Sequence, residues 1–284
     1  MERATASIET ASERTGGVRR RLTRARVIGA WPASVAIYLL VVGLIIYAAY
    51  DGASAMGYNW QWYRIPKYFY RYDETGFVLG EIPLGLLGTL ALSATAFALA
   101  LVLGLLVVLL RLSNLVVGRA VAVGFLELVR NMPLLVLLYL FYYVLGPIFG
   151  LNRHVASVAC LAVFHAALVS EIFRAGINAV AQGQWEGAAS IGMTKVQIYR
   201  YIILPQSIRF MLPPMTGELI NMIKSSAIVS VIGVAELTTM GRNIISNTYM
   251  SFEILFTIAA VYMAVTLLLS IFVSYLEKRY AVTD

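Results

Sequence analysis

Long apolar runs, separated by short polar clusters, set the frame of the chain. They fall at residues 27–50, 82–110, 131–152 (opening at Pro133), 155–170 with an extension past Glu171 toward Asn178, 205–232 and 254–276. None alternates apolar and polar with period two. Each is far longer than the roughly 9–11 residues that a transmembrane strand needs. At about 1.5 Å rise per residue, the run 82–110 outreaches a hydrocarbon core of about 30 Å. The pattern predicts an all-α integral membrane protein of six transmembrane helices.

The polar segments between the runs set the orientation. Residues 1–26 are rich in Ser, Thr and Arg and lack periodicity, so a disordered basic tail is expected. Its arginines Arg19, Arg20, Arg21, Arg24 and Arg26 abut the first run and read as a topology anchor, with nucleic acid or anionic lipid as alternatives. With the N-terminus inside, inner segments carry 16 Lys and Arg and outer segments 5, leaving Lys224 within the membrane. That asymmetry puts both termini and the loop 182–205 in the cytoplasm. The outer loop 51–83 contains YNWQWYRIPKYFYRYD. Its rings suit a membrane interface, where Trp and Tyr gather, or a docking surface for an extracytoplasmic partner.

Composition agrees with a membrane protein. The 284 residues are 60% hydrophobic and 13% charged, against about 25% charged in soluble domains. One cysteine, Cys160, excludes a disulfide framework and a cysteine-built metal site. No lysine follows a glycine, so the chain has no P-loop to cradle nucleotide phosphates. No H-E-x-x-H occurs, and no Ser/His/Asp set can be assembled. His165 reads as a helix-packing histidine, with a ligand or proton relay as the alternative. No catalytic residue and no metal site are expected.

The loop 182–205 is the polar island in this apolar chain. Its first part allows two helical turns over 184–191, in which Gly187, Ala188 and Ala189 leave room for another surface to approach. Gly192 permits a left-handed backbone that ends the helix. Thr194 can cap a second helix through Leu204. Pro205 fits the first turn of the fifth span, where its missing N–H is harmless. The expected shape is an L welded to a membrane helix.

Glu186-Gly187-Ala188-Ala189-Ser190-Ile191-Gly192, followed by Ile203-Leu204-Pro205-Gln206, resembles the E-A-A-x-x-x-G…I-x-L-P signature of ABC importer permeases. The chain is similar in particular to the polar amino acid permease family. Supporting stretches are Gly88-Thr89-Leu90, Glu127-Leu128-Val129-Arg130-Asn131-Met132-Pro133, Ser170-Glu171-Ile172-Phe173-Arg174, Gly183-Gln184-Trp185-Glu186 and Asn221-Met222-Ile223-Lys224-Ser225-Ser226. The resemblance spans about 85–277. It implies a five-helix permease domain over 84–277, preceded by an extra helix at 27–50 and followed by a cytoplasmic tail at 278–284. It also implies that the loop docks in a groove of a separate ATPase, with Glu186 as an anchoring contact. The chain departs from the pattern at Gly187, where alanine is usual, and at Gly217, Ser225 and Ala227, where Asn, Asp and Ser are frequent.

On a helical wheel Glu218, Asn221, Lys224 and Ser225 share about 120° of the fifth span. A charge at that depth costs a few kcal/mol, about 3, unless paired or facing a polar cavity. Lys224 offers a cation to a substrate carboxylate, with Asn221, Ser225 and Ser226 adding hydrogen bonds. The alternative is an internal network in which Lys224 bonds Glu218 of a second protomer or a helix carbonyl. Glu171 and Arg174, spaced i, i+3, and likewise Glu127 and Arg130, read as gate or structural ion pairs.

The expected function is the permease subunit of an ATP-driven importer in the bacterial inner membrane. It carries polar amino acids by alternating access, with acidic or amide ones favoured. The chain itself binds no cofactor; ATP-Mg sits on the ATPase. The expected partners are an ABC ATPase dimer, a second permease protomer (identical or paralogous), an extracytoplasmic amino-acid-binding protein and membrane lipid, with no nucleic acid. An autonomous secondary transporter or channel is the alternative.

Overall fold

The computed structural model describes residues 34–73 and 76–280. The expected disordered tail, 1–26, lies outside the described residues. The chain divides into two units, residues 1–60 and 61–284. The first holds helix α1, Ser34–Ala55, apolar and long enough to cross a membrane.

The second unit opens with a 3-10 turn, Trp62–Tyr68, and an antiparallel hairpin of β1, Tyr70–Asp73, and β2, Gly76–Leu79. Both strands lie in the expected aromatic loop, where Tyr70, Tyr72, Phe77 and Leu79 alternate with other residues. Tyr70 pairs with Leu79 and Tyr72 with Phe77, so all four share one face. Gly80 then leads into the first helix of the core. A Cβ there would sit 2.1 Å from the Tyr68 carbonyl oxygen, so only glycine allows this close approach.

Helix α2, Glu81–Leu112, follows. Next come α3, Val116–Arg130, and α4, Leu134–Phe149, bent by 107° at the break between them. Helix α5 is Arg153–Asn178, started by Asn152, whose side chain accepts from the Val155 N–H. Then come α6, Gln182–Ser190, and α7, Lys195–Ile232, which bends by 44° into α8, Leu237–Thr248. Helix α9, Ser251–Tyr280, closes the unit. Among the described residues four helices are long and apolar enough to span a membrane, or up to six if each bent pair is one span.

Two further helices lie in segments between the apolar runs. Residues before the third run form α3, whose Ala122, Leu126 and Val129 are buried at helical spacing, and residues 237–248 form α8.

Packing follows from small residues. The buried face of α2 runs Gly85, Thr89, Leu92, Ser93, Ala96, Ala100, Gly104 and Val108. A Cβ on Gly104 would lie 2.6 Å from Val169 Cγ1 of α5. Small residues at this spacing let helix backbones approach, which drives association where the surrounding lipid is as apolar as the side chains. The central core joins Leu92 and Ala96 of α2, Leu137 and Leu138 of α4, Leu161 and Ala166 of α5, and Met222 and Val229 of α7. A second cluster joins Tyr68, Ile82, Leu237, Ile244, Met250, Ile254 and Ile258. On the opposite face of α2, Leu84, Leu87, Leu105, Leu106 and Leu109 are exposed, as lipid-facing side chains would be.

Candidate coupling loop and substrate pathway

Helix α6 ends in a Schellman turn. Gly192, at φ +79°, donates its N–H to the Ala189 carbonyl, and Met193 donates to that of Ala188. Thr194 then starts α7 with a capping box. Its hydroxyl accepts from the Gln197 N–H, and its own N–H donates to the Gln197 side chain at 2.8 Å. The two arms close on an apolar cluster of Ile177, Val180, Ala188, Ile198, Ile203 and Met211. Trp185 meets Tyr199 edge-on at 5.2 Å between ring centroids. Gln206 donates to Gln184 at 3.3 Å.

The loop is therefore sided. Ala188 and Ile203 point into this cluster, so they build the loop rather than its outer surface. Glu186, Gly187, Ala189 and Gly192 are exposed, as are Leu204 and Pro205. Nothing lies within 4 Å of a Cβ placed on Gly187.

Pro205 lies in the first turn of the regular α-helical stretch Leu204–Ser225, as its missing N–H allows, and the chain ahead of it is already wound. Helix α7 already runs from Lys195, widens into a π turn over Ile198–Ile203, and passes through Pro205 as regular α-helix. A second π turn, Leu140–Leu145, precedes Pro147 in α4 in the same way. The wider turn accommodates a ring that lacks an N–H and would otherwise collide with the preceding turn.

Further along α7, Glu218 is buried against α5. His165 Nδ1 lies 2.5 Å from Glu218 Oε1, and Asn221 donates to Oε2 at 3.4 Å. Asn221 and Lys224 are exposed and Ser225 half-buried, while Ser226 is buried and donates to the Ile223 carbonyl. Lys224 has no ion-pair partner among the described residues. At Ser226 the helix tightens to 3-10, which ends at Gly233 with φ +73°. Arg153 and Arg242 hold that end by donating to the Gly233 and Ser230 carbonyls.

Residues 102–282 match the family described as the binding-protein-dependent transport system inner membrane component. The chain belongs to this family. It is an ABC importer permease of the inner membrane, similar over 197 residues, at 35% identity, to the probable glutamine ABC transporter permease protein GlnM of Bacillus subtilis; the match covers 69% of this chain and 91% of that one. The glutamine transport system permease protein GlnP of Escherichia coli is 33% identical over 194 residues, 67% of this chain and 89% of that one. The crystal structure of an amino acid ABC transporter with histidines contains a chain of similar fold. It has TM-score 0.67 and 42% identity, covering 70% of this chain and 94% of that chain.

Sequence spacing points to His165 and Glu171 but not to all of their partners, and it passes over Glu236. The partner of His165, Glu218, lies 53 residues away on another helix, beyond the reach of local spacing. Glu236 is fully buried and caps α8, accepting from the Thr238 and Thr239 N–H groups, the Thr239 hydroxyl and the Tyr262 hydroxyl. A lone acid ahead of an apolar-periodic stretch was its signal. Glu171 receives not only Arg174 but also Arg111 from α2 and Arg130 from α3. The expected Glu127–Arg130 pair is absent among the described residues: Glu127 accepts from Asn131 instead, and Arg130 turns to Glu171.

Proposed function

We propose that this permease imports a polar amino acid, with acidic and amide side chains favoured. Energy comes from ATP-Mg hydrolysed on a separate ATPase dimer. Both termini and the loop 182–205 face the cytoplasm. The exposed side of the loop (Glu186, Gly187, Ala189, Gly192) docks on the ATPase, while Ala188, Ile203, Leu204 and Pro205 join it to α7. Two permease protomers, identical or paralogous, flank the pathway. An extracytoplasmic amino-acid-binding protein delivers the substrate. The amide preference is supported by two relatives that carry glutamine in their names.

The observation that carries this reading is the construction of α7. One helix holds the loop's apolar cluster near its start and, about 20–30 Å along by rise, the exposed Asn221 and Lys224. Lys224 meets the substrate carboxylate, and Asn221 and Ser225 add polar contacts. Glu218 and Ser226 sit behind this face and hold its shape. Glu171 with Arg174, Arg111 and Arg130 ties the inner ends of α2, α3 and α5 beside the gate. Closure of the ATPase moves the loop, α7 follows, and the cavity changes its exposure.

Uptake of labelled glutamine by the reconstituted complex, together with its ATPase activity, tests the reading. Glu186→Arg abolishes uptake while the protein stays in the membrane. Lys224→Ala lowers uptake at limiting substrate while ATPase assembly is kept. Normal uptake in Glu186→Arg overturns the coupling role, and unchanged uptake in Lys224→Ala overturns the substrate contact.

A further inference from the structure

Three arginines from three helices converge on one carboxylate. Arg111 lies in the last turn of α2, Arg130 in the last turn of α3, and Arg174 on α5. Arg111 Nη1 is 2.5 Å from Glu171 Oε1, and Arg174 holds Oε2 with Nε at 3.0 Å and Nη2 at 2.9 Å. Arg130 Nη1 stands off at 3.6 Å, beyond hydrogen-bond reach. Glu171 neutralises one of these cations. Glu127, the nearest acid in sequence to Arg130, is bonded to Asn131 and makes no ion pair among the described residues. The side chains are 27% (Arg111), 50% (Arg130) and 39% (Arg174) exposed, so the uncompensated charge is only half in solvent. Like charges held together this way favour a further anion.

The surroundings select the kind of anion. Helix α3 meets α4 at 107°, so if α4 crosses the membrane, α3 runs along its surface. The outward face of α3 carries Val116, Val117, Val121 and Leu128, all more than half exposed, beside the exposed Arg119, Glu127 and Arg130. A helix with such a face and arginine at its end lies at the boundary of headgroups and acyl chains. Arginine suits phosphate because its planar fork donates two parallel hydrogen bonds.

We propose that Arg130 and Arg174, backed by Arg111, bind the phosphate of an anionic phospholipid at the ends of α2, α3 and α5. Glu171 is the internal counter-ion that gathers the arginines, and Arg130, the least committed, makes the principal lipid contact.

The test is native mass spectrometry of the complete transporter, titrated with phosphatidylglycerol and, separately, with phosphatidylcholine. The wild type binds phosphatidylglycerol preferentially. Arg130→Gln weakens that binding about fivefold, the equivalent of about 1 kcal/mol for one arginine at a charged membrane surface. Arg130→Lys, which keeps the charge and loses the fork, falls between the two. Arg119→Gln, about 16 Å along the same helix, changes binding less than twofold. Equal binding of phosphatidylglycerol by wild type and Arg130→Gln overturns the proposal. Displacement of the lipid by millimolar inorganic phosphate also overturns it, assigning the arginines to a soluble anion. Lipid occupancy is read directly, so the outcome does not depend on the transport reading.

Discussion

His165→Leu is the sharpest perturbation the structure offers. The pair it breaks is nearly dry, with side-chain exposures of 1% for His165 and 7% for Glu218. The other bond to the Glu218 carboxylate, from Asn221, is long at 3.4 Å. Leucine fills the space but leaves Glu218 without a close donor. Leaving a buried charged group without its close partner costs about 3–5 kcal/mol, because the group keeps its desolvation penalty. At about 2–4 °C per kcal/mol for a domain of this size, the midpoint falls by roughly 6–20 °C.

The double variant His165→Leu/Glu218→Leu separates that penalty from lost packing. Replacing both members of a buried pair with apolar residues is often neutral or stabilising by about 1–4 kcal/mol. The double variant is therefore expected near the wild-type midpoint. Glu218→Gln, which still accepts from the His165 ring, loses about 1–2 kcal/mol as a neutral hydrogen bond replaces a charged one. The assay is thermal unfolding of the permease in lipid nanodiscs, followed by loss of the monodisperse fraction. A His165→Leu midpoint within about 2 °C of wild type, or a double variant as unstable as the single, would refute the account.

Four further outcomes follow from named positions. Gly187→Ala extends helix propensity where nothing obstructs the new methyl and stabilises the permease by up to about 1 kcal/mol, seen as a higher unfolding midpoint. Gly192→Ala forces a side chain into the left-handed region at φ +79°, costs about 1–2 kcal/mol and lowers coupled ATPase activity more than it lowers expression. Glu236→Leu removes the acceptor of two backbone N–H groups and three hydroxyls, those of Thr89, Thr239 and Tyr262; it destabilises by about 2–4 kcal/mol, whereas Glu236→Gln retains most of the midpoint. Gly241→Val drives a side chain into Ile258, whose Cδ1 lies 1.8 Å from the first added carbon, and lowers the yield of folded protein by a clear margin on size-exclusion chromatography.

Local chemistry was legible in the sequence where the signal and its partner lie within one turn. Gly192 as a left-handed helix end and Thr194 as a cap needed only neighbours up to three residues away, and the structure has both features. The long apolar runs gave the spans of α2, α5 and α9 to within a few residues, since length and hydropathy decide them. What could not be read was pairing between helices. Glu171 was assigned to Arg174 at i+3, yet Arg111 comes to it from 60 residues away. Glu127 and Arg130 have the same local spacing, but Arg130 sits at the end of α3 and lies 3.6 Å from Glu171 of α5. The hairpin 70–79 is hidden in the aromatic loop because each strand is four residues long, too short for the alternation of Tyr70 with Tyr72 and Phe77 with Leu79 to stand out from an aromatic-rich composition.

The two left-handed glycines define what α7 can transmit. From Lys195 to Ile232, between these glycines, the chain is one helical element, α then π then α then 3-10, with no residue at positive φ. Pro205, Pro213 and Pro214 lie inside it without breaking it. At its start it is fastened to α6 by the cluster around Ala188 and Ile203, and to α5 where Gly176 meets Met211. A methyl on Gly176 would lie 2.3 Å from Met211 Cγ and 3.2 Å from the Ser207 carbonyl oxygen, so α5 and α7 pack tightly at that level. Further along, the same two helices are joined by His165 and Glu218. A push on α6 therefore meets two fastenings between α5 and α7. The helices move together while both hold, and separate if the polar one yields. Tight packing holds one level, and the His165–Glu218 contact holds the other. That is why its removal is expected to disturb transport as well as stability. In His165→Leu/Glu218→Leu, restored stability with altered coupling of ATP hydrolysis to uptake is the outcome this argument requires; restored stability with unchanged coupling would reduce the pair to packing alone.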